Sequence, residues 1–199
     1  MNPQVEKALE IMQSGDPEKL DRALLALHHT VYGFGMKFCG NREDAEDTAQ
    51  ETLLRLARSL KDFPNAGALA VWLYKVVKTQ CLLSRRESKF APAQMLSLDA
   101  LMPDHGAASP AAPKPWAITP EEVVLHRETR DRLEKAVLAL PQPYRLVLIL
   151  RDMEQLDTRE VAEVMEISED TVKMRLHRAR AFVRNELQKY FSKKERARP

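Results

Sequence analysis

The chain has 199 residues, 44% of them apolar, 30% charged and 6% aromatic, which suits one or two small domains and argues against a large β-sandwich. Thirty-one Lys and Arg stand against 29 Asp and Glu, so the net charge of +2 neither demands nor excludes a nucleic-acid partner, and the placement of charge has to decide. The two cysteines, Cys39 and Cys81, belong to no C-x-x-C or Cys/His set; they exclude a disulfide scaffold or a standard zinc finger and read as reduced thiols.

Asp16 followed by Pro17 signals a helix start, and Leu20, Leu24, Leu27, Val31, Phe34 and Phe38 recur at helical spacing until Gly40, with Gly33 and Gly35 weakening the helix locally. Asn41 can cap a second helix with Glu43 and Asp44 in its first turn, where the macrodipole favours anions, and an apolar stripe Ala49, Leu53, Leu56, Leu60 ending near Lys61. After the loop KDFPNAG a third helix carries Leu69, Leu73, Val76 and Val77 inward and runs into Arg85, Arg86 and Lys89. Three such helices make a bundle.

Residues 91 to 120 hold six of the twelve prolines, eight alanines and three charged side chains, the composition of an extended linker. Beyond it Thr119, Pro120, Glu121 and Glu122 open another helix; a run from Leu133 stops at Pro141, and Pro143 can open the next. Two shorter helices follow, at about Thr158 to Met165 and Glu169 to Tyr190. The expected fold is therefore all-α, with two small helical bundle domains at 1–90 and 121–199 joined by a Pro/Ala-rich linker.

The strongest local signal is DTREVAEVMEISEDTVKMRLHRARAFV, a helix-turn-helix pattern. Ala162 lets the two helices approach, Ile167 plugs the turn and Ser168 caps the second helix. Glu166 stands where such turns take Gly, so a positive φ there costs on the order of 1 kcal/mol. Val172, Leu176, Ala179 and Val183 form the inward stripe of the second helix; the opposite arc holds Asp170, Lys173, Met174, His177 and Arg178, flanked by Thr171 and Arg175. From Ser168 onward ten Lys and Arg face four acids, a balance suited to DNA, although a solvated basic helix would show the same surplus.

Charge reverses in NREDAEDTAQE, residues 41 to 51, where five acids face one arginine. Asp44, Asp47 and Glu51 fall on one stripe with Gln50 adjacent, offering carboxylates to the Arg and Lys of a partner helix; a solvated face is the bland alternative. No Glu-x-x-His pair accompanies them, so no metal site is expected. In the third helix Trp72 and Tyr74 accompany Lys75, Lys78, Arg85 and Arg86, a mixture that fits unstacked bases beside a phosphate track, while Trp72 also lies within the core stripe.

In this order and spacing the segments resemble an RNA polymerase sigma factor of the extracytoplasmic-function group, with sigma regions two and four. NREDAEDTAQETLLRLARSL looks like the core-polymerase-binding helix, AVWLYKVVK like the promoter-melting helix, and LPQPYRLVLILRDMEQLDTREVAEVMEISEDTVKMRLHRARAFV like region four. The resemblance implies that Asp44, Asp47, Gln50 and Glu51 engage the largest polymerase subunit. It places the minus-10 strand on Lys61, Asp62, Phe63, Asn65, Lys75, Lys78, Arg85 and Arg86, with the loop Lys61 to Gly67 capturing an extruded base. The helix Glu169 to Tyr190 would read the minus-35 element. Where the family often has Arg-Asn, and an Asp a few positions on, this chain has Lys78-Thr79 and Leu83.

The expected function is a cytoplasmic sigma factor that binds core RNA polymerase, directs it to promoters and helps open the DNA. It has no catalytic residues and no cofactor, and an anti-sigma factor is implied as a further partner. No apolar run approaches the roughly 20 residues a bilayer needs, and MNPQVEKALE has neither the basic start nor the apolar stretch of a signal peptide. Two other readings stay open: a helix-turn-helix repressor or activator that never binds polymerase, and a helical metalloenzyme. Cys39, Cys81 and the His28-His29 pair read as buried or incidental.

Overall fold

The computed structural model describes residues 2–14, 16–59, 63–87 and 120–196, and the segment read as a linker lies outside them. The described residues form only helices and their connections: α1 Pro3–Gln13, α2 Pro17–Cys39, α3 Arg42–Ser59, α4 Ala66–Glu87, α5 Pro120–Ala139, α6 Gln142–Leu148 continued by a π-helical turn Ile149–Met153, α7 Thr158–Met165 and α8 Glu169–Arg196. The all-α expectation holds, and α7 with α8 is the helix-turn-helix.

α1 was not foreseen. The Asn2 side chain accepts from the Gln4 N–H at 3.0 Å and a proline occupies the first turn, so this short helix starts cleanly; Val5, Ala8 and Leu9 bury it against α2 and α4. Among the described residues the N-terminal bundle thus has four helices rather than three. α2 places Ala23, Leu27, Val31, Phe34 and Phe38 in its core, with Phe34 on the Tyr74 ring of α4, centroids 4.6 Å apart. Gly35 has a packing reason: a Cβ there would meet Ala45 of α3 at 3.3 Å, so the bare backbone sets how closely α2 and α3 cross. Gly40, at φ +85°, then ends α2 in the left-handed conformation that terminates helices.

In the C-terminal part, α6 and α8 pack through Leu146, Val147 and Ile149 against the stripe Val172, Leu176, Ala179, Val183, all buried. Arg145, also buried, donates to the carbonyls of Leu138 and Leu140 at the end of α5 and of Phe38 at the end of α2. A guanidinium is thereby held where two helices present their unpaired carbonyls and the negative ends of their dipoles. The π-helical turn inserts one residue before Glu154, whose N–H reaches back to the Ile149 carbonyl at 2.9 Å, and Gln155 reverses the chain at φ +59°.

The helix-turn-helix follows its local signals closely. Asp157 caps α7 through the Glu160 N–H at 2.7 Å, and Glu160 returns the bond to the Asp157 N–H at 2.8 Å. Glu166 takes φ +59°, as its place in the turn predicts, and Ser168 accepts from the Thr171 N–H at 3.2 Å to start α8. Glu166→Gly should therefore stabilise the chain by about 1 kcal/mol despite losing a long contact to Lys78, seen as a rise of a few degrees in the thermal midpoint.

Candidate nucleic-acid interface

The outer arc of α8 emerges as a solvent-facing surface on a rigid support. Burial of Val172, Leu176, Ala179 and Val183 turns Asp170, Lys173, Met174 and His177 outward, all exposed, with Thr171, Arg175 and Arg178 half-buried along the arc. Lys173 lies 3.1 Å from Asp170 on the same surface, a contact in water that a phosphate can replace at little cost. Part of the basic surplus is already paired: Arg180, though exposed, forms a two-pronged pair with Asp152 of the π-helical turn, and that bond holds its guanidinium still further above its usual range.

At the other end of the chain the acidic ridge on α3 is on the surface as well. Asp47 and Gln50 are exposed; Asp44 and Glu51 are half-exposed and already employed. The Asp44 N–H donates to Asn41 Oδ1 at 2.8 Å in the cap of α3, and Glu51 pairs with Arg55 at 2.7 Å. None of the four reaches into the bundle.

The residues expected along the minus-10 strand do not form one open surface. Lys61 and Asp62 lie outside the described residues, as do the side chains of Arg85 and Arg86, whose backbone forms the last turns of α4. Phe63 is turned in rather than out, 7% exposed with its ring against Trp72 at 5.8 Å, because an apolar ring beside the core stripe gains more from burial than from waiting for a base. Asn65 caps α4 through the Ala68 N–H at 2.9 Å. Lys75 reaches Glu163 of α7 at 2.9 Å, and Lys78 donates to the Val164 carbonyl at 2.8 Å with Glu166 nearby. Both α4 lysines expected on DNA are thus docked on the helix-turn-helix.

Beneath that contact lies a site not seen in the sequence. The π-helical turn delivers Glu154, 5% exposed, into the seam between the two halves, where it accepts from Lys37 of α2 and from the Tyr74 hydroxyl of α4, each at 2.8 Å. Burial, then the charge of Glu154 and its hydrogen bond, pushes the Tyr74 hydroxyl far above the ordinary phenol range, so it remains a donor. The cysteines also depart from expectation. Cys39 at the end of α2 and Cys81 of α4 are joined as a disulfide, with Cα atoms 5.5 Å apart, because the crossing of the two helices brings together positions that the chain separates by 42 residues. Among the described residues no cluster of His, Cys, Asp and Glu is arranged to hold a metal, and no helix is long and apolar enough to cross a membrane.

Comparison with known proteins matches two stretches of the chain to family models. The region 2 model of sigma-70 matches residues 24–90 and the region 4 model residues 130–183. The extracytoplasmic-function sigma factor SigW of Bacillus subtilis is 24% identical over 190 residues, covering 94% of this chain and 98% of that protein. The RNA polymerase sigma-H factor of Pseudomonas aeruginosa is 26% identical, covering 93% and 94%. Among solved structures, the sigma factor RpoE of Bartonella quintana, in complex with the anti-sigma factor NepR, superposes with a TM-score of 0.59 at 18% identity over 86% of this chain and 98% of that one. CnrH, in complex with the cytosolic domain of CnrY, gives 0.55 at 19% over 93% and 97%; these two likenesses speak to the fold.

Proposed function

The chain belongs to the extracytoplasmic-function group of RNA polymerase sigma factors, non-enzymatic factors of transcription initiation, and from that premise we propose that it binds core polymerase in the cytoplasm, carries it to its own promoters and helps open the DNA. The observation that carries this reading is the separation of two exposed surfaces of opposite character on rigid helices, carboxylates on α3 and a mixed basic arc on α8. Asp44, Asp47, Gln50 and Glu51 meet basic side chains of the polymerase. Lys173, Met174, His177 and their neighbours enter the major groove at the minus-35 element, with Arg175 and Arg178 toward phosphates. The loop 61–67 and α4 handle the minus-10 strand.

This assignment requires α7 to leave α4, because Lys75 and Lys78 cannot hold Glu163 and the Val164 carbonyl and a DNA strand together. The seam also offers a reason why a sigma factor of this kind is controlled by an anti-sigma partner: a protein that favours the seated form keeps α4 from DNA. Of the two structural neighbours, RpoE was captured with the anti-sigma factor NepR, and CnrH with the cytosolic domain of CnrY.

The test is reconstitution with core enzyme on a library of promoter fragments. Specific start sites should appear only when the chain is present; binding of a two-fold operator by the chain alone, with no polymerase-dependent transcript, would establish a repressor instead. In the same assay Lys173→Ala should weaken binding of the selected upstream element by about tenfold. A loss uniform across sequences marks a phosphate contact, and a loss confined to one base position marks a reader.

A further inference from the structure

We propose that Cys39 and Cys81 form a reversible disulfide, a peroxide-responsive staple that strengthens the seating of α4 on α7. The chain has two cysteines, and the fold brings both to one point on different helices at a Cα separation of 5.5 Å, inside the window a disulfide requires. Each sulfur sits beside an attachment between the halves of the molecule. Cys81 follows Lys78 by one helical turn, and Lys78 is the side chain bonded to the Val164 carbonyl of α7. Cys39 follows Phe38, whose carbonyl takes the Arg145 guanidinium, and precedes Gly40, over which the Leu138 side chain lies. A bond between the sulfurs therefore fixes the distance between two anchor points of the C-terminal half, and its loss lets α2 and α4 shift independently beneath them.

Burial selects the chemistry. Cys39 and Cys81 are 3% and 1% exposed, so a small neutral oxidant enters where bulky or charged reagents do not, and the Thr48 hydroxyl 3.9 Å from the Cys81 sulfur is a polar neighbour for it. With hydrogen peroxide as oxidant, one thiolate attacks a peroxide oxygen, the O–O bond breaks, and a sulfenic acid forms as the released hydroxide takes a proton to become water. The second thiol attacks the sulfenic sulfur; the S–S bond forms, the S–O bond breaks and a second water leaves. Two thiols have lost two electrons and one peroxide has gained them. A dithiol reductant reverses the bond by exchange once local opening of α2 or α4 exposes a sulfur. Reversibility, rather than permanence, rests on the proposed function, since a transcription factor works in a reducing compartment.

The experiment uses the full chain without DNA or polymerase, so its outcome is separate from that of the transcription assay. Reduced protein is exposed to hydrogen peroxide, quenched, denatured and alkylated, and weighed intact. Two alkyl groups before oxidation and none after, with no higher oligomer, is the expected result, and dithiothreitol should restore both. The oxidised form should melt about 10 °C above the reduced one, the scale for closing a loop of this length in a chain of this size. Amide exchange should slow in α7 as well as in α2 and α4. Two groups still alkylated after peroxide, cross-linking only between chains, or slowed exchange confined to α2 and α4 would each overturn the proposal. Comparing redox forms of one sequence avoids dependence on the folding of Cys39→Ala or Cys81→Ala.

Discussion

Reversing the charge of the α3 ridge with Asp47→Lys and Glu51→Lys together should weaken association with core polymerase by about 100-fold, roughly 2.8 kcal/mol, and abolish start-site-specific transcription at limiting factor. The size follows from placing cations where the proposed partner also presents cations, which costs more than losing an attraction. The fold should hardly notice. Asp47 is exposed, and Glu51 gives up one surface pair with Arg55, a loss of about 0.5 kcal/mol. Affinity measured by fluorescence anisotropy beside a urea melt separates the two effects. Unchanged core affinity with a normal melt would place the polymerase elsewhere on the molecule, while minus-35 binding by α8 should be untouched in either case.

Removing the buried carboxylate at the seam is the second large effect. Glu154→Ala strips the Tyr74 hydroxyl of its buried acceptor and Lys37 of its counter-charge, and should destabilise the closed form by about 2–3 kcal/mol. Tyr74→Phe should cost only about 1 kcal/mol, because the ring keeps its contact with Phe34 and Glu154 keeps Lys37. With Glu154 gone α7 is held more weakly, and single-stranded minus-10 DNA should bind the free chain more tightly than wild type, as Lys75 and Lys78 become available. A urea melt and a DNA titration on the same preparation decide it; lower stability without a gain in DNA binding would mean that the seam supports the fold without covering the DNA surface. The Tyr74 hydroxyl adds a pH dependence of stated sign. Its folded value lies above the ordinary 10.0, so the stability it contributes is complete below pH 10 and declines as pH rises further.

What the sequence made legible depended on how local the cause was. The helix-turn-helix was readable residue by residue because its determinants lie within one turn of their effects. The left-handed Glu166, the Ser168 start and the stripe from Val172 to Val183 each needed only neighbours. α3 was legible for the same reason, its Asn41 cap and acids being adjacent. α1 was missed because eleven residues with three buried side chains leave a weak periodic trace. The π-helical turn was missed because its extra residue shifts the helical period just where Glu154 is delivered. The docking of the α4 lysines on α7 was not legible because their partners, Glu163 and Val164, stand more than 80 residues downstream, a pairing that only the packing of α7 on α4 reveals. The cysteines met the same obstacle, since helix crossing rather than spacing joins them.

The Gln13 side chain at the end of α1 donates to the Phe63 carbonyl at 3.3 Å, so the first helix holds the base of the loop that leads into α4. A fragment cut to the segment that matches sigma-70 region 2 would discard this brace together with the cover that Val5, Ala8 and Leu9 give to α2 and α4. If the loop meets DNA as proposed, such a fragment would report the preference of a slackened loop, and promoter selectivity measured on it would understate the discrimination of the intact chain.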